Sequence, residues 1–156
     1  MRLEKYGAED RALYETLVFN EDVMRQNYGR TFTAEEANFL FSAMLEANDE
    51  PGPLGFYKAY VGDDFVGIGA LNQNDAGALE IEYMLLPAFW RQGYGTALAK
   101  MLLRLAAESG LSETVEAITD QLNAPSKRIL EKTGFAWVKR YENDDGDPVE
   151  LYRKTL

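Results

Sequence analysis

A glycine turn before a long amphipathic stretch has the clearest chemical potential in this sequence. Gly93 and Gly95 lie within WRQGYGTAL, after a strand-like run and at the start of a predicted helix. Glycine lets the backbone turn tightly and approach a ligand closely, and the first N–H groups of a helix have no partner within it. With the positive end of the helix dipole and the nearby Arg91, the turn predicts an anion site, most often for a phosphate.

The spacing around this turn excludes the two best-known nucleotide loops. A dinucleotide fingerprint needs a small residue three positions after its second glycine, where this chain has Leu98. A Walker A loop ends in Gly-Lys-Ser/Thr, whereas Gly95 is followed by Thr96 and Ala97. Taken by itself, the motif leaves open a glycine turn that only leads into a core helix.

Two carboxylates lie close together just before the turn. Glu80 and Glu82 alternate with apolar residues in the strand-like run 78–86. Successive side chains of a strand point to opposite faces, so the two glutamates share one face and Leu79, Ile81, Tyr83 and Leu85 share the other. Carboxylates are costly to bury without a purpose, although an exposed or cation-paired face would also explain them.

The composition limits the available chemistry. The 156 residues include no cysteine and no histidine, which excludes disulfides, thiolate catalysis, a Ser-His-Asp triad and zinc sites of the Cys/His kind, and we expect no metal. The formal net charge of -10 disfavours nucleic-acid binding, because phosphate contacts need a basic surface. The N-terminus lacks an apolar segment and no run is long enough to span a bilayer, so we expect a cytoplasmic protein without a membrane partner.

The elements that must position these groups follow from hydrophobic periodicity and turn residues. The helix that begins at Thr33 is expected to end before Asn48 and to bury Phe39, Leu40, Ala43, Met44 and Ala47, while residues 20–30 look irregular. Further helices are predicted over 8–19, 94–109 and 125–133, and strands over 2–6, 55–61, 65–71, 78–86, 115–119, 135–141 and 149–154.

The order of these elements predicts an α+β fold. We expect one domain over residues 1–156, with a mixed, mostly antiparallel sheet of six to seven strands flanked by about four helices. Because a helix separates the strands at 78–86 and 115–119, these two are the expected parallel neighbours.

A second motif makes the glycine turn more specific. In NAPSKRILEKTGF, Asn123 and Ser126 alone are explained by helix capping. Together with the segment from Trp90 to Gly95, however, this motif resembles the GNAT superfamily of acyl-CoA-dependent N-acetyltransferases, whose signature is Gln/Arg-x-x-Gly-x-Gly/Ala. Trp90 departs from that signature, but it and the Asn-x-x-Ser motif are most similar to the branch that acetylates ribosomal-protein N-termini.

The resemblance implies the GNAT-like fold and acetyl-CoA as co-substrate. Backbone N–H groups of residues 92–96 would hold its pyrophosphate, and the end of strand 78–86 would open from its neighbour and pair with the pantetheine arm. The N–H of Leu85 would then face the thioester carbonyl. The residues expected to bind the cofactor are Met84, Leu85, Leu86, Arg91, Gln92, Gly93, Tyr94, Gly95, Thr96, Asn123, Ser126 and Lys132.

The resemblance also implies a primary amine as acceptor, either a protein N-terminus or a small molecule. Glu82 and Glu80 are the expected general bases, with Glu116 as a weaker third candidate, and Ser126 or water would protonate the thiolate. Leu130 stands where many family members carry a tyrosine acid, which leaves a non-catalytic acyl-CoA-binding module as the alternative. Without a cysteine for an acetyl-enzyme, we expect direct transfer in a ternary complex, and a homodimer is compatible with the family.

Overall fold

The computed structural model describes all 156 residues and contains seven strands and five α-helices. The strands are β1 (Arg2–Lys5), β2 (Gly55–Val61), β3 (Asp64–Gln73), β4 (Leu79–Leu85), β5 (Thr114–Asp120), β6 (Ala136–Glu142) and β7 (Pro148–Thr155). The helices are α1 (Arg11–Val18), α2 (Glu21–Asn27), α3 (Ala34–Asp49), α4 (Tyr94–Ser109) and α5 (Ala124–Lys132). No helix combines the length and the apolar character that a membrane crossing requires.

All seven strands form one mixed sheet in the order β1-β2-β3-β4-β5-β7-β6. Every neighbouring pair is antiparallel except β4 and β5, which are parallel because α4 carries the chain back across the sheet. This arrangement confirms the predicted fold class and the predicted parallel pair. The β4–β5 pairing consists of only Leu79 with Val115 and Glu80 with Glu116, so the two strands separate beyond these positions.

Apolar clusters cover both faces of the sheet. On one face, α4 buries Leu98, Leu102 and Ala106 against Leu79, Ile81 and Val115 of the central strands. On the other face, the helices α1 to α3 bury a cluster that includes Tyr14, Leu17, Met24 and Phe41. Both sides of β4 are therefore held by packing up to the point where it separates from β5.

The prediction of an irregular segment over residues 20–30 is wrong, because α2 occupies residues 21–27. The Asn20 side chain caps this helix by accepting hydrogen bonds from the N–H groups of Asp22 and Val23, at 3.0 and 3.1 Å. Val23 and Met24 are completely buried and hold the helix on the sheet. A helix with only two apolar anchors has no periodicity that its sequence could reveal.

The predicted start of α3 is confirmed, but its predicted buried stripe is correct only at Met44. Thr33 and Glu36 form a reciprocal capping box. The helix buries Ala37, Phe41 and Met44, whereas Phe39 is 74% exposed. The predicted and the observed apolar stripes both have helical spacing, and the observed one is buried because it faces the sheet. Three of the predicted residues border a cleft described below: Leu40, Ala43 and the buried Met44.

Candidate active site

The glycine turn before α4 presents a row of unused backbone donors. The N–H groups of residues 91–96 donate to no acceptor within the protein. Gly93 is the N-cap of α4 with a φ of 82°, and Arg91 is the only non-glycine residue with a positive φ, at 59°. Left-handed residues in such a turn direct successive N–H groups toward one point, which forms a concave anion site at the positive end of the helix.

The two glycines of this turn have different structural roles. A Cβ added at Gly93 would have no atom within 4 Å, so this residue faces open space. A Cβ at Gly95 would lie 2.6 Å from Cδ1 of Ile129 on α5. Gly95 therefore allows α4 and α5 to approach closely, while Gly93 leaves the donors accessible to a ligand.

The end of β4 has a free backbone edge beside the turn. The N–H of Leu86 donates to the carbonyl oxygen of Val66 at 2.9 Å. In an antiparallel pair every second residue bonds to the neighbouring strand, so the even-numbered residues of β4 bond to β3. The backbone groups of Tyr83 and Leu85 consequently point toward β5, which has already separated from β4. Nε1 of Trp90 donates to the Leu85 carbonyl oxygen at 2.8 Å, so the N–H is the backbone group of Leu85 that stays unused.

A cleft of about 880 Å³ adjoins the opening between β4 and β5. Side chains from α1 to α3, the central strands, α5 and the β6–β7 loop line it. Among the predicted site residues, it brings together Glu80, Glu82, Met84 and Ser126. The last residues of β4 thus connect the cleft, which Met84 lines, to the anion turn that follows in the chain.

Glu82 is the one carboxylate lining the cleft whose pKa is raised. Its side chain is exposed toward the cleft, but the surrounding walls of protein reduce its hydration. This loss of hydration raises the pKa of Glu82, and the neighbouring Glu80 carboxylate raises it further. Glu80 accepts a long 3.4 Å hydrogen bond from Nδ2 of Asn74. Glu116, in contrast, forms a 2.9 Å ion pair with Arg153.

Tyr83 is a site residue that the sequence interpretation missed. Its hydroxyl lies 3.3 Å from Oγ of Ser126 and donates to the Ser126 carbonyl oxygen at 3.4 Å. Burial raises the pKa of Tyr83 to about 12, so the hydroxyl stays protonated at neutral pH. Leu130 is buried in the core and offers no polar group. The only available signal was that Tyr83 occupies the strand end whose backbone the sequence already implicated.

The remaining predicted cofactor residues differ in their surroundings. Asn123 is buried, and both ends of its amide are engaged: Oδ1 accepts from the Ser126 N–H at 3.1 Å, and Nδ2 donates to Asn27 at 3.3 Å. It therefore fixes the start of α5 and joins it to α2. Lys132 is exposed in the last turn of α5, at the opposite end of that helix from Ser126.

Comparison with protein families identifies the class of protein. Residues 1–136 match the family model described as the acetyltransferase (GNAT) domain, so this chain belongs to the GNAT family. The fold, the open end of β4 and the free donors of the turn agree with this assignment. The predicted enzyme class, an acetyl-CoA-dependent N-acetyltransferase, is confirmed.

Individual relatives act on different acceptors. The chain is 27% identical, over 95% of its length and 67% of the relative's, to the FsC-acetyl coenzyme A-N(2)-transacetylase of Aspergillus fumigatus. Among solved structures, an acetyl transferase from Salmonella typhimurium that modifies the N-terminal serine of ribosomal protein L7/L12 aligns with a TM-score of 0.81 and 17% identity, over 99% of this chain and 94% of its own. The aminoglycoside acetyltransferase AAC(6')-Ib, solved with coenzyme A, aligns with a TM-score of 0.80 and 20% identity, over 98% of this chain and 93% of its own.

Proposed function

We propose that this protein transfers an acetyl group from acetyl-CoA directly to a primary amine. The observation that carries this proposal is the continuity between the six free N–H groups of residues 91–96, the free edge of β4 and the cleft that contains Glu82 and Ser126. One elongated molecule with a pyrophosphate at one end and a thioester at the other fits that sequence of sites.

The donor side is built from backbone groups. The N–H groups of residues 91–96 would bind the pyrophosphate, and the backbone of residues 84–86 would pair with the pantetheine amides as a strand would. The Leu85 N–H would donate to the thioester oxygen as negative charge develops there, an interaction worth about 3–4 kcal/mol in the barrier when well aimed. Asn123 would act by positioning α5, and Lys132 stays a predicted cofactor-binding residue.

The acceptor must lose a proton before it can attack the thioester. We assign Glu82 as the base, directly or through a water, because its raised pKa makes it a better proton acceptor than an ordinary glutamate. Glu80 would support it by keeping that pKa high. Glu116 is the weaker choice, since its carboxylate is paired with Arg153 and does not line the cleft.

The leaving group must gain a proton as the C–S bond breaks. Ser126 lies at the cleft, and the Tyr83 hydroxyl is 3.3 Å from its Oγ. The serine would give its proton to the thiolate, Tyr83 would replace that proton and solvent would then reprotonate Tyr83, so that the pair performs the acid role that Leu130 cannot. Glu82 takes one proton from the ammonium group and the neutral nitrogen then bonds to the acetyl carbon. The C–S bond breaks, the nitrogen loses its second proton to solvent, and CoA leaves as the thiol.

A screen of amines with acetyl-CoA, followed by thiol release and by mass spectrometry of the product, tests this function. We expect release that depends on both substrates and a product heavier by one acetyl group. If acetyl-CoA binds but no amine causes release, the protein is an acyl-CoA-binding module instead.

A further inference from the structure

The cleft contains many more acidic than basic groups. Six carboxylates line it: Glu36, Glu80, Glu82, Asp120, Asp145 and Asp147. Arg30 is the single cation among the lining residues, and Glu36 already holds it through two hydrogen bonds of 2.8 and 2.9 Å. None of the other five carboxylates forms an ion pair. The cleft is therefore strongly negative at neutral pH.

These carboxylates come from separate elements that surround the same space. Glu80 and Glu82 lie on β4, Asp120 ends β5, and Asp145 and Asp147 belong to the β6–β7 loop. Glu82 also acts on Tyr14, which lies on α1. Burial raises the pKa of Tyr14 to about 12, and the negative charge of Glu82 contributes to this rise. A negative group placed anywhere in this space would meet repulsion without a free cation to offset it.

Aromatic side chains line the same cleft and suit a cationic ligand. Tyr14, Tyr28, Phe32 and Phe56 border it. Aromatic faces attract ammonium groups, and they also cover the methylene groups that connect one amine to the next. Charge and lining therefore point to the same kind of molecule.

We infer that the acceptor is a polycationic amine, with the reacting primary amine at Glu82, at least one further ammonium group near Asp145 and Asp147, and no carboxylate. This inference rests on the proposed function and specifies its substrate class. Linear polyamines and aminosugars share this chemistry. Amino acids do not, because Arg30 is not free to bind their carboxylate.

Three amines with the same number of carbon atoms provide the test: 1,6-diaminohexane carries a distal ammonium group, hexylamine ends in a methyl group and 6-aminohexanoate ends in a carboxylate. We expect kcat/KM for the diamine to exceed that for hexylamine by about tenfold, with 6-aminohexanoate lowest. Raising the salt concentration should reduce both the advantage of the diamine and the disadvantage of 6-aminohexanoate relative to hexylamine. Spermidine and kanamycin, tested alongside, distinguish a linear polyamine from an aminosugar.

A charge-neutralising variant locates the effect. Asp145→Asn/Asp147→Asn removes two exposed carboxylates from the cleft, so the ratio of kcat/KM between diamine and hexylamine should fall about threefold or more. Asp63→Asn/Asp64→Asn makes the same charge change in the exposed β2–β3 turn, outside the cleft, and should leave that ratio unchanged.

The two proposals fail in different ways. Turnover of hexylamine, 6-aminohexanoate or a peptide with an uncharged N-terminal sequence at or above the rate of the diamine overturns this inference and leaves the acetyltransferase function intact. Equal effects of the two double variants also overturn it. Thiol release with none of the amines contradicts the proposed function itself.

Discussion

Nε1 of Trp90 donates a 2.8 Å hydrogen bond to the carbonyl oxygen of Leu85. The bond connects the anion turn to the free end of β4 and leaves the Leu85 N–H as the unused backbone group there. Tryptophan at this position is therefore more than a variation of the family signature, because its indole N–H holds the backbone that is proposed to polarise the thioester.

Replacing Trp90 by Phe should lower kcat more than it weakens acetyl-CoA binding. The phenyl ring retains most of the packing but has no donor for the Leu85 carbonyl, so the strand end loses its orientation. Steady-state kinetics and calorimetric affinity would separate the two effects. Trp137→Phe is the matched control, since this second tryptophan is 56% exposed on β6, and it should change neither quantity.

Gly93→Glu should abolish measurable acetyl-CoA binding. The side chain would extend into the open space at the turn, where its charge opposes that of a pyrophosphate, and the φ of 82° disfavours any side chain. Calorimetric titration measures the loss. Gly110→Glu controls for backbone strain, because Gly110 caps the other end of α4 with a φ of 64°. Unchanged affinity in Gly93→Glu would remove the cofactor assignment.

Glu82→Gln should reduce kcat by about 10²–10⁴-fold and leave acetyl-CoA affinity unaltered, as loss of a general base does. Glu80→Gln should have a smaller effect on kcat, because Glu80 acts on the base rather than on the amine. A loss of activity in Glu80→Gln as large as that in Glu82→Gln would assign the base to Glu80.

The acid limb of the pH profile should report Glu82. The base must be unprotonated, and its pKa is raised, so kcat/KM should begin to fall at a higher pH than an ordinary glutamate would produce. Because the Glu80 carboxylate contributes to the raised pKa, Glu80→Gln should move this limb to lower pH. A limb that stays in place would indicate that another group titrates.

Tyr83→Phe and Ser126→Ala should each lower kcat, and the double variant should be little worse than the more damaging single one. The two hydroxyls lie 3.3 Å apart and are proposed to pass one proton, so their effects should not add. Kinetics of the four proteins at saturating acetyl-CoA test this coupling. Tyr60→Phe, on β2 and outside the cleft, is the control for loss of a hydroxyl. Fully additive effects would separate Tyr83 from the acid step.

The sequence could predict those features of this molecule that depend on residues close together in the chain. Helix α4 and its glycines follow from periodicity and turn chemistry, and the shared face of Glu80 and Glu82 follows from the two-residue repeat of a strand. The contact between Tyr83 and Ser126 joins residues 43 positions apart and depends on where β4 and β5 separate. The reach of Asp145 and Asp147 into the cleft depends likewise on the β6–β7 hairpin, which no local pattern specifies.

The short pairing between β4 and β5 also affects how the molecule holds together. Two residue pairs near one end are all that join the strands β1 to β4 to the strands β5, β7 and β6, so the sheet consists of two half-sheets that meet at a narrow seam. A donor bound along the free edge of β4 would occupy the place of the missing ladder. On the proposed function, the substrate is then also a structural part of the enzyme, and each turnover completes the sheet and opens it again.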